Sequence, residues 1–201
     1  MNFIPLPEIF YARSAKIVAR QLLGHWLIRQ TSEGFCGGAI VEAEAYLRND
    51  AACHASRGET ARNRPMFGPP GRAYVYFIYG NHWCFNAVTN RVGVGEAVLV
   101  RAIEPLFGEE FMRANRTVAK PIELTNGPAK FCEAMNIDRE LNHVNLCDTK
   151  SPIFIAENPQ RKIFLKERGP VVTTTRIGIS LAANLPLRFY LEASEFVSRR
   201  C

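Results

Sequence analysis

Residues 41–47 read Val41-Glu42-Ala43-Glu44-Ala45-Tyr46-Leu47. Side chains on a strand alternate between its faces, so this pattern predicts a half-buried strand. Val41, Ala43, Ala45 and Leu47 fall on one face; Glu42, Glu44 and Tyr46 fall on the other. Two acids and a phenol on one face are, taken alone, the pattern of any solvated sheet. A second aromatic run, Tyr74-Val75-Tyr76-Phe77-Ile78-Tyr79-Gly80, changes the reading. If the two strands are neighbours, a carboxylate sits among tyrosine rings, which pairs a polar working group with flat apolar walls.

The rest of the 201-residue chain frames that pair. Its length suits one domain, and 47% hydrophobic residues supply a sizeable core. No apolar run reaches the ~18 residues a membrane span needs, and the N-terminus has no basic-then-apolar secretory pattern. Six cysteines (Cys36, Cys53, Cys84, Cys132, Cys147, Cys201) form no Cys-x-x-Cys pair, and the four histidines are scattered. Free thiols are expected, with neither a metal nor an organic cofactor. The formal charge of +6 shifts the odds toward an anionic partner only slightly. More telling is the grouping of Arg57, Arg62 and Arg64 just after the acidic strand, with Arg72 close behind, as a phosphate backbone would require.

Ser14 fits the N-cap of a helix over 14–23, with Ile17, Val18, Leu22 and Leu23 at helical spacing and Gly24 as its stop. His25–Gln30 and Gly37–Leu47 then read as a hairpin about the turn 31–34. Residues 48–72 are a long loop that carries His54 and, among its arginines, Arg57, Arg62 and Arg64. Strands are expected at Ala73–Tyr79, Trp83–Thr89 and Ala97–Ile103, and a helix at Gly108–Asn115. Another helix should open near Pro128; its N-terminus with Lys130 could hold a phosphate, or could simply be well capped. Short strands are expected at Ser151–Ile155, Ile163–Lys166, Val171–Ile179 and Pro186–Glu192. There is no repeat and no linker. The expected architecture is a single α+β domain over 1–201, with a curved, mainly antiparallel sheet and surrounding helices.

Several motifs, taken in order, resemble the alkyladenine (3-methyladenine) DNA glycosylase family. They are Val41–Leu47, His54-Ala-Ser-Arg-Gly58, Arg62-Asn-Arg-Pro-Met-Phe67, Pro70-Gly71, Tyr74–Gly80, Asn86 and Arg101-Ala-Ile-Glu-Pro105. Spaced motifs in one order are specific where any single one is weak. The likeness extends from about Pro7 to about Val197. It implies a monofunctional enzyme that flips alkylated or deaminated purines out of duplex DNA and hydrolyses the bond between base and sugar. It also implies a monomer working beside DNA, in a bacterial-type cytoplasm or a eukaryotic nucleus.

The same resemblance implies a role for each residue. Glu44, two residues before Tyr46, would be the general base; Arg101 and the backbone carbonyl of Ile177 would help hold the attacking water. Tyr46 and Tyr76, with His54 beside them, would sandwich the base, and Asn86 would crowd out guanine. Tyr79 would be the wedge that fills the duplex, flanked by Asn81 and His82. Lysine is missing from the motif, so no Schiff-base chemistry is expected. Plainer readings exist for each residue. Glu42 could be the true base, Arg101 could simply bridge to Glu104 or another acid, and strand tyrosines often belong to a core. A non-catalytic nucleic-acid-binding module and a nucleoside hydrolase are the competing functions.

Overall fold

A computed structural model describes residues 2–200. The architecture is α+β, built on one curled antiparallel sheet. Its centre is the hairpin of β1 (Trp26–Thr31) and β2 (Gly34–Tyr46). The hairpin needs Gly37 and Gly38, because a Cβ at either would lie 2.0 Å from a neighbouring strand's carbonyl oxygen, that of Leu27 or of Glu104. β3 (Ala73–Ile78), β4 (His82–Val88) and β5 (Ala97–Phe107) extend the sheet on one side, and β6 (Ile153–Ala156) ends it on the other, in the order β3-β4-β5-β2-β1-β6. Where β1 leaves off, β8 (Arg188–Leu191) takes over that edge of β2 and carries β7 (Val171–Thr174) with it.

This arrangement places the acidic residues inside the sheet. Glu44 lies opposite Leu99 on β5 and opposite Arg188 on β8. Register shifts flank Glu42: Ile40 pairs with Ile103 and Glu42 with Ala102, leaving Val41 without a counterpart. Ala43 then pairs with Val100, leaving Arg101 unmatched. Bulges of this kind re-aim a side chain, and here the re-aimed one is Arg101.

One face of β2 is covered by α2 (Ala15–Leu22), whose Ala15, Val18, Ala19 and Leu22 pack with Val41, Ala43 and Ala45 in the main core. Burying Val18, Leu22 and Val41 contributes about 1.5–3 kcal/mol each, so this layer fixes the strand from behind. Ser14 sits at the N-cap position but makes no cap bond with its side chain; the Glu96 carboxylate accepts from the Ala15 N–H at 2.9 Å instead. Ile17 is exposed. The remaining helices are α1 (Glu8–Tyr11), α3 (Glu109–Asn115), α4 (Pro128–Ala134) and α5 (Arg161–Glu167), with α4 packed against β4. No helix of the described residues is long and apolar enough to cross a membrane. The five described cysteines are free thiols, and Cys201 lies outside the described residues.

Four expectations need correction. The strand at 41–47 is not half-buried: every residue from Cys36 to Ala45 is buried, because segments from the C-terminal quarter close over the acidic face. The two tyrosine-bearing strands are not neighbours, since β4 and β5 lie between them, yet tyrosines of both line one cavity. Residues 163–166 belong to helix α5, which docks by Arg161 Nε donating to the Leu23 carbonyl at 2.8 Å. The strand expected over 171–179 stops at Thr174. Arg176 and Ile177 then leave the sheet in a loop.

Candidate active site

Glu44 has no exposed surface, and both its carboxylate oxygens are engaged. Oε1 accepts from the Ile177 backbone N–H at 2.8 Å and faces Arg101 Nη1 at 3.2 Å. Oε2 accepts from the Tyr46 hydroxyl at 2.9 Å. Burial raises the Glu44 carboxyl above its ordinary value. Arg101, the Ile177 N–H and the Tyr46 hydroxyl pull it back down, and the neighbouring Glu42 pushes it up again. The same burial, with the Glu44 charge beside it, holds the Tyr46 phenol far above its usual range and keeps it a donor.

Glu42, two residues away, is held differently. Its Oε1 accepts from Arg101 Nε at 3.0 Å, Arg188 Nη1 at 2.8 Å and Ser198 Oγ at 3.0 Å, and its Oε2 accepts from the Ser198 N–H at 2.7 Å. It contacts no group that lines the cavity except Arg101, and it serves as the anchor for two buried arginines. Arg101 therefore bridges Glu42 and Glu44. Its salt bridges are thus to acids other than Glu104, which is taken by Arg168 at 2.6 Å.

Above Glu44 opens a cavity of about 370 Å³, a size usual for small-molecule sites. The three partners of Glu44 (Tyr46, Arg101 and Ile177) line it, together with His54, Tyr74, Tyr76, Cys84 and Asn86. His54 Nδ1 lies 2.9 Å from the Tyr74 hydroxyl, and its ring stands edge-on to Tyr76 with centroids 4.6 Å apart. Partial burial and then Arg62 lower the His54 pKa, which favours the neutral ring. Asn86, nearly buried, donates from Nδ2 to the Tyr74 carbonyl at 3.0 Å. Tyr79 stands at the rim, 81% exposed, at the tip of the β3–β4 hairpin. Tyr79 and Gly80 both have positive φ (55° and 76°), as a tight turn of the primed type requires. His82 lines the cavity mouth, and Asn81 beside it is exposed.

The arginines are unequal. Arg62 donates to the Phe77 carbonyl at 3.0 Å and lies 5.6 Å from the Tyr76 ring centroid, so it ties the long loop to β3. Arg64 pairs with Glu59 at 3.2 Å on the open surface. Arg57 is exposed beside a shallow depression next to the main cavity. Lys130 donates to Asn126 Oδ1 at 2.7 Å, bridging the first turn of α4 to the residues before it.

Four residues that hold the site together went unread in the sequence. Arg176 and Asp50 form a buried pair; Arg176 Nη1 also donates to the Ala45 carbonyl at 3.0 Å, and its guanidinium lies 4.7 Å from the Tyr46 centroid. This pins the loop that presents Ile177 to Glu44. Arg188 and Ser198 close over Glu42. One signal was available for Arg188: a charge inside the short apolar run Leu187-Arg188-Phe189-Tyr190-Leu191 demands a buried partner. Nothing local marks Ser198.

Flat walls, a buried acid beneath them and an exposed ring at the mouth define an enzyme site for a planar, ring-shaped group. Comparison with known proteins narrows that class. The chain matches the methylpurine-DNA glycosylase family over residues 9–195. A protein of Methanoculleus marisnigri is 49% identical over 195 residues, covering 97% of this chain and 99% of that one. Proteins of Carboxydothermus hydrogenoformans (97% of this chain, 99% of the other) and Methanocella arvoryzae (97% and 96%) are each 46% identical. All three are provisionally named 3-methyladenine DNA glycosylase. The chain belongs to the methylpurine-DNA glycosylase family and is a DNA glycosylase, an enzyme of DNA repair.

Proposed function

We propose that this enzyme flips alkylated or deaminated purines, of the 3-methyladenine, 7-methylguanine, ethenoadenine and hypoxanthine type, out of duplex DNA and hydrolyses the bond joining base to sugar. The observation that carries the reading is the Glu44 carboxylate, buried beneath an aromatic-walled cavity and held by three groups that line it. A water held between Glu44, Arg101 and the backbone carbonyl of Ile177, whose N–H is already given to Glu44, passes one proton to Glu44. Its oxygen bonds to C1′ as the C1′–N bond breaks, and that bond's electron pair leaves with the base. The carboxylate also offsets positive charge building on the sugar. A base that is already cationic through alkylation departs neutral and asks for no acid.

Tyr46 and Tyr76 supply stacking faces, each worth roughly 1–3 kcal/mol and tolerant of base identity, which suits a varied substrate set. Asn86, fixed by its bond to the Tyr74 carbonyl, narrows the cavity against an extra exocyclic amine. Tyr79 enters the duplex as the base leaves. Among the described residues lining the cavity there is no lysine, so the product is an abasic site in an uncut strand. Every group in this scheme comes from one chain, and the enzyme acts as a monomer wherever the cell keeps its DNA.

The test is incubation with duplexes that each carry one lesion. Free damaged base and an alkali-labile but uncut strand are expected. Tight binding without base release would overturn the reading.

A further inference from the structure

Behind the site, the C-terminal segment that follows β8 reaches the catalytic charges by a route no motif announces. Ser198 contributes two groups. Its N–H donates to Glu42 Oε2 at 2.7 Å, and its hydroxyl lies 3.0 Å from Glu42 Oε1 and 3.2 Å from Arg101 Nη2. Arg101 in turn meets Glu44 at 3.2 Å. The segment is itself fastened: Arg188 Nη1 donates to the Arg199 carbonyl at 2.8 Å, Arg200 Nη2 donates to the Ser194 carbonyl at 3.0 Å, and Val197 is buried. Ser198 lies just past residue 195, where the family match ends.

We propose that Ser198 is a positioning residue for the hydrolytic site, acting through Glu42 and Arg101 to keep the Arg101 guanidinium against Glu44. The reason is geometric. Arg101 has three nitrogens in one rigid plane, and Ser198, Glu42 and Glu44 each hold a different one: Nη2, Nε and Nη1. With the serine hydroxyl gone, Nη2 loses its partner, and Glu42 Oε1 keeps only Arg101 Nε and Arg188. The guanidinium is then free to turn further onto Glu42. Buried networks of this kind respond strongly to one missing member.

The consequence for Glu44 has a definite sign. The groups facing it are Tyr46 and Glu42 from β2, Arg101 from β5, Cys84 from β4, and Ile177 and Arg176 from the loop after β7. Arg101 is the largest influence holding the Glu44 carboxyl down against burial. An Arg101 that drifts away leaves the carboxyl to rise. The acid limb of base release, which needs ionised Glu44, then moves to higher pH.

This inference rests on Glu44 being the base, and the test keeps the two apart. Single-turnover base release from a 3-methyladenine-type duplex is followed from pH 5 to 8 for wild type, Ser198→Ala, Ser198→Thr and Glu44→Gln, with duplex affinity and melting temperature measured beside it. Ser198→Ala should release base roughly tenfold more slowly near neutral pH, with its acid limb moved upward and lesion binding unchanged. Ser198→Thr, which keeps the hydroxyl, should restore both rate and limb. A Ser198→Ala enzyme with the wild-type limb would overturn the proposal, even if its melting temperature falls, since that is a structural effect alone. An active Glu44→Gln enzyme would instead overturn the assignment of the base.

Discussion

Tyr79 holds a backbone conformation, φ 55°, that side chains other than glycine rarely adopt, and it leaves its ring 81% exposed. A strained, solvated aromatic contributes nothing to the core, which accords with a part whose partner arrives with the DNA. Unstacking a base costs a few kcal/mol, least where the base is already mismatched. Tyr79→Ser should therefore lose more activity on a paired lesion than on the same lesion opposite a mismatch, with melting temperature unchanged. Single-turnover release from the two duplexes measures this; an equal proportional loss on both would point to Asn81 or His82 as the wedge instead. The sequence placed Tyr79 at a hairpin tip because Gly80, lying between two strand-like runs, is a turn signal. Periodicity could not separate Glu42 from Glu44, since both share one strand face; only the family resemblance favoured Glu44. What separates them is contacts with residues 176–198, more than 130 positions away. Glu42→Gln removes the partner of two buried arginines and should cost about 3–5 kcal/mol of stability; by loosening Arg101 it should also slow base release, while keeping much more activity than Glu44→Gln. Denaturant unfolding and base release, measured side by side, check both halves.

At the scale of elements, the long loop over 48–72 is a docked piece rather than a free one. Asn63 Nδ2 bridges the His54 and Gly58 carbonyls at 2.8 and 2.9 Å, and Arg62 ties the loop to β3. Arg57 and Arg62 on it therefore divide their labour. Arg57→Ala should weaken binding to all duplexes alike and lower the salt slope by about 1, as loss of one phosphate contact does. Arg62→Ala should in addition reduce discrimination between damaged and normal bases, because its guanidinium lies against Tyr76. Salt-dependent duplex affinity distinguishes them, and an unchanged slope for Arg57→Ala would remove it from the DNA surface. Elements with a clear period were legible: the helix near 15–22, the first hairpin and the strands from 73 to 103. The run Ile163-Phe164-Leu165 was not, because three apolar residues fit a strand or a helix turn equally. It is settled by Phe164 facing inward, Ile163 lying exposed and Arg161 bonding to the end of α2.

For the whole molecule, two buried groups pull stability in opposite directions as pH falls. Burial first, and then Arg161, push the His25 imidazole from 6.5 down to about 4. The unfolded chain takes up that proton near pH 6.5 while the folded protein resists until about 4. Stability is therefore full above 6.5 and declines through that window, by at most about 3 kcal/mol. His25→Gln should flatten the fall in melting temperature between those two pH values; an identical slope would place the acid sensitivity elsewhere. Glu44 acts in the opposite sense. Its carboxyl lies above the ordinary range, so its charge costs stability as pH rises and is relieved by acid, while base release is lost by that same protonation. The fold thus holds the Glu44 carboxyl, raised above its ordinary range by burial, beneath a cavity shaped for a flat ring. The most direct measurement of whether that group does the chemistry is single-turnover base release from a duplex bearing one alkylated adenine, for Glu44→Gln beside wild type and Glu42→Gln. Removing a positioned general base typically costs on the order of 10²–10⁴-fold. The account predicts a loss of at least that size for Glu44→Gln with duplex binding intact, and a far smaller loss for Glu42→Gln. An active Glu44→Gln enzyme beside an inactive Glu42→Gln one would contradict it.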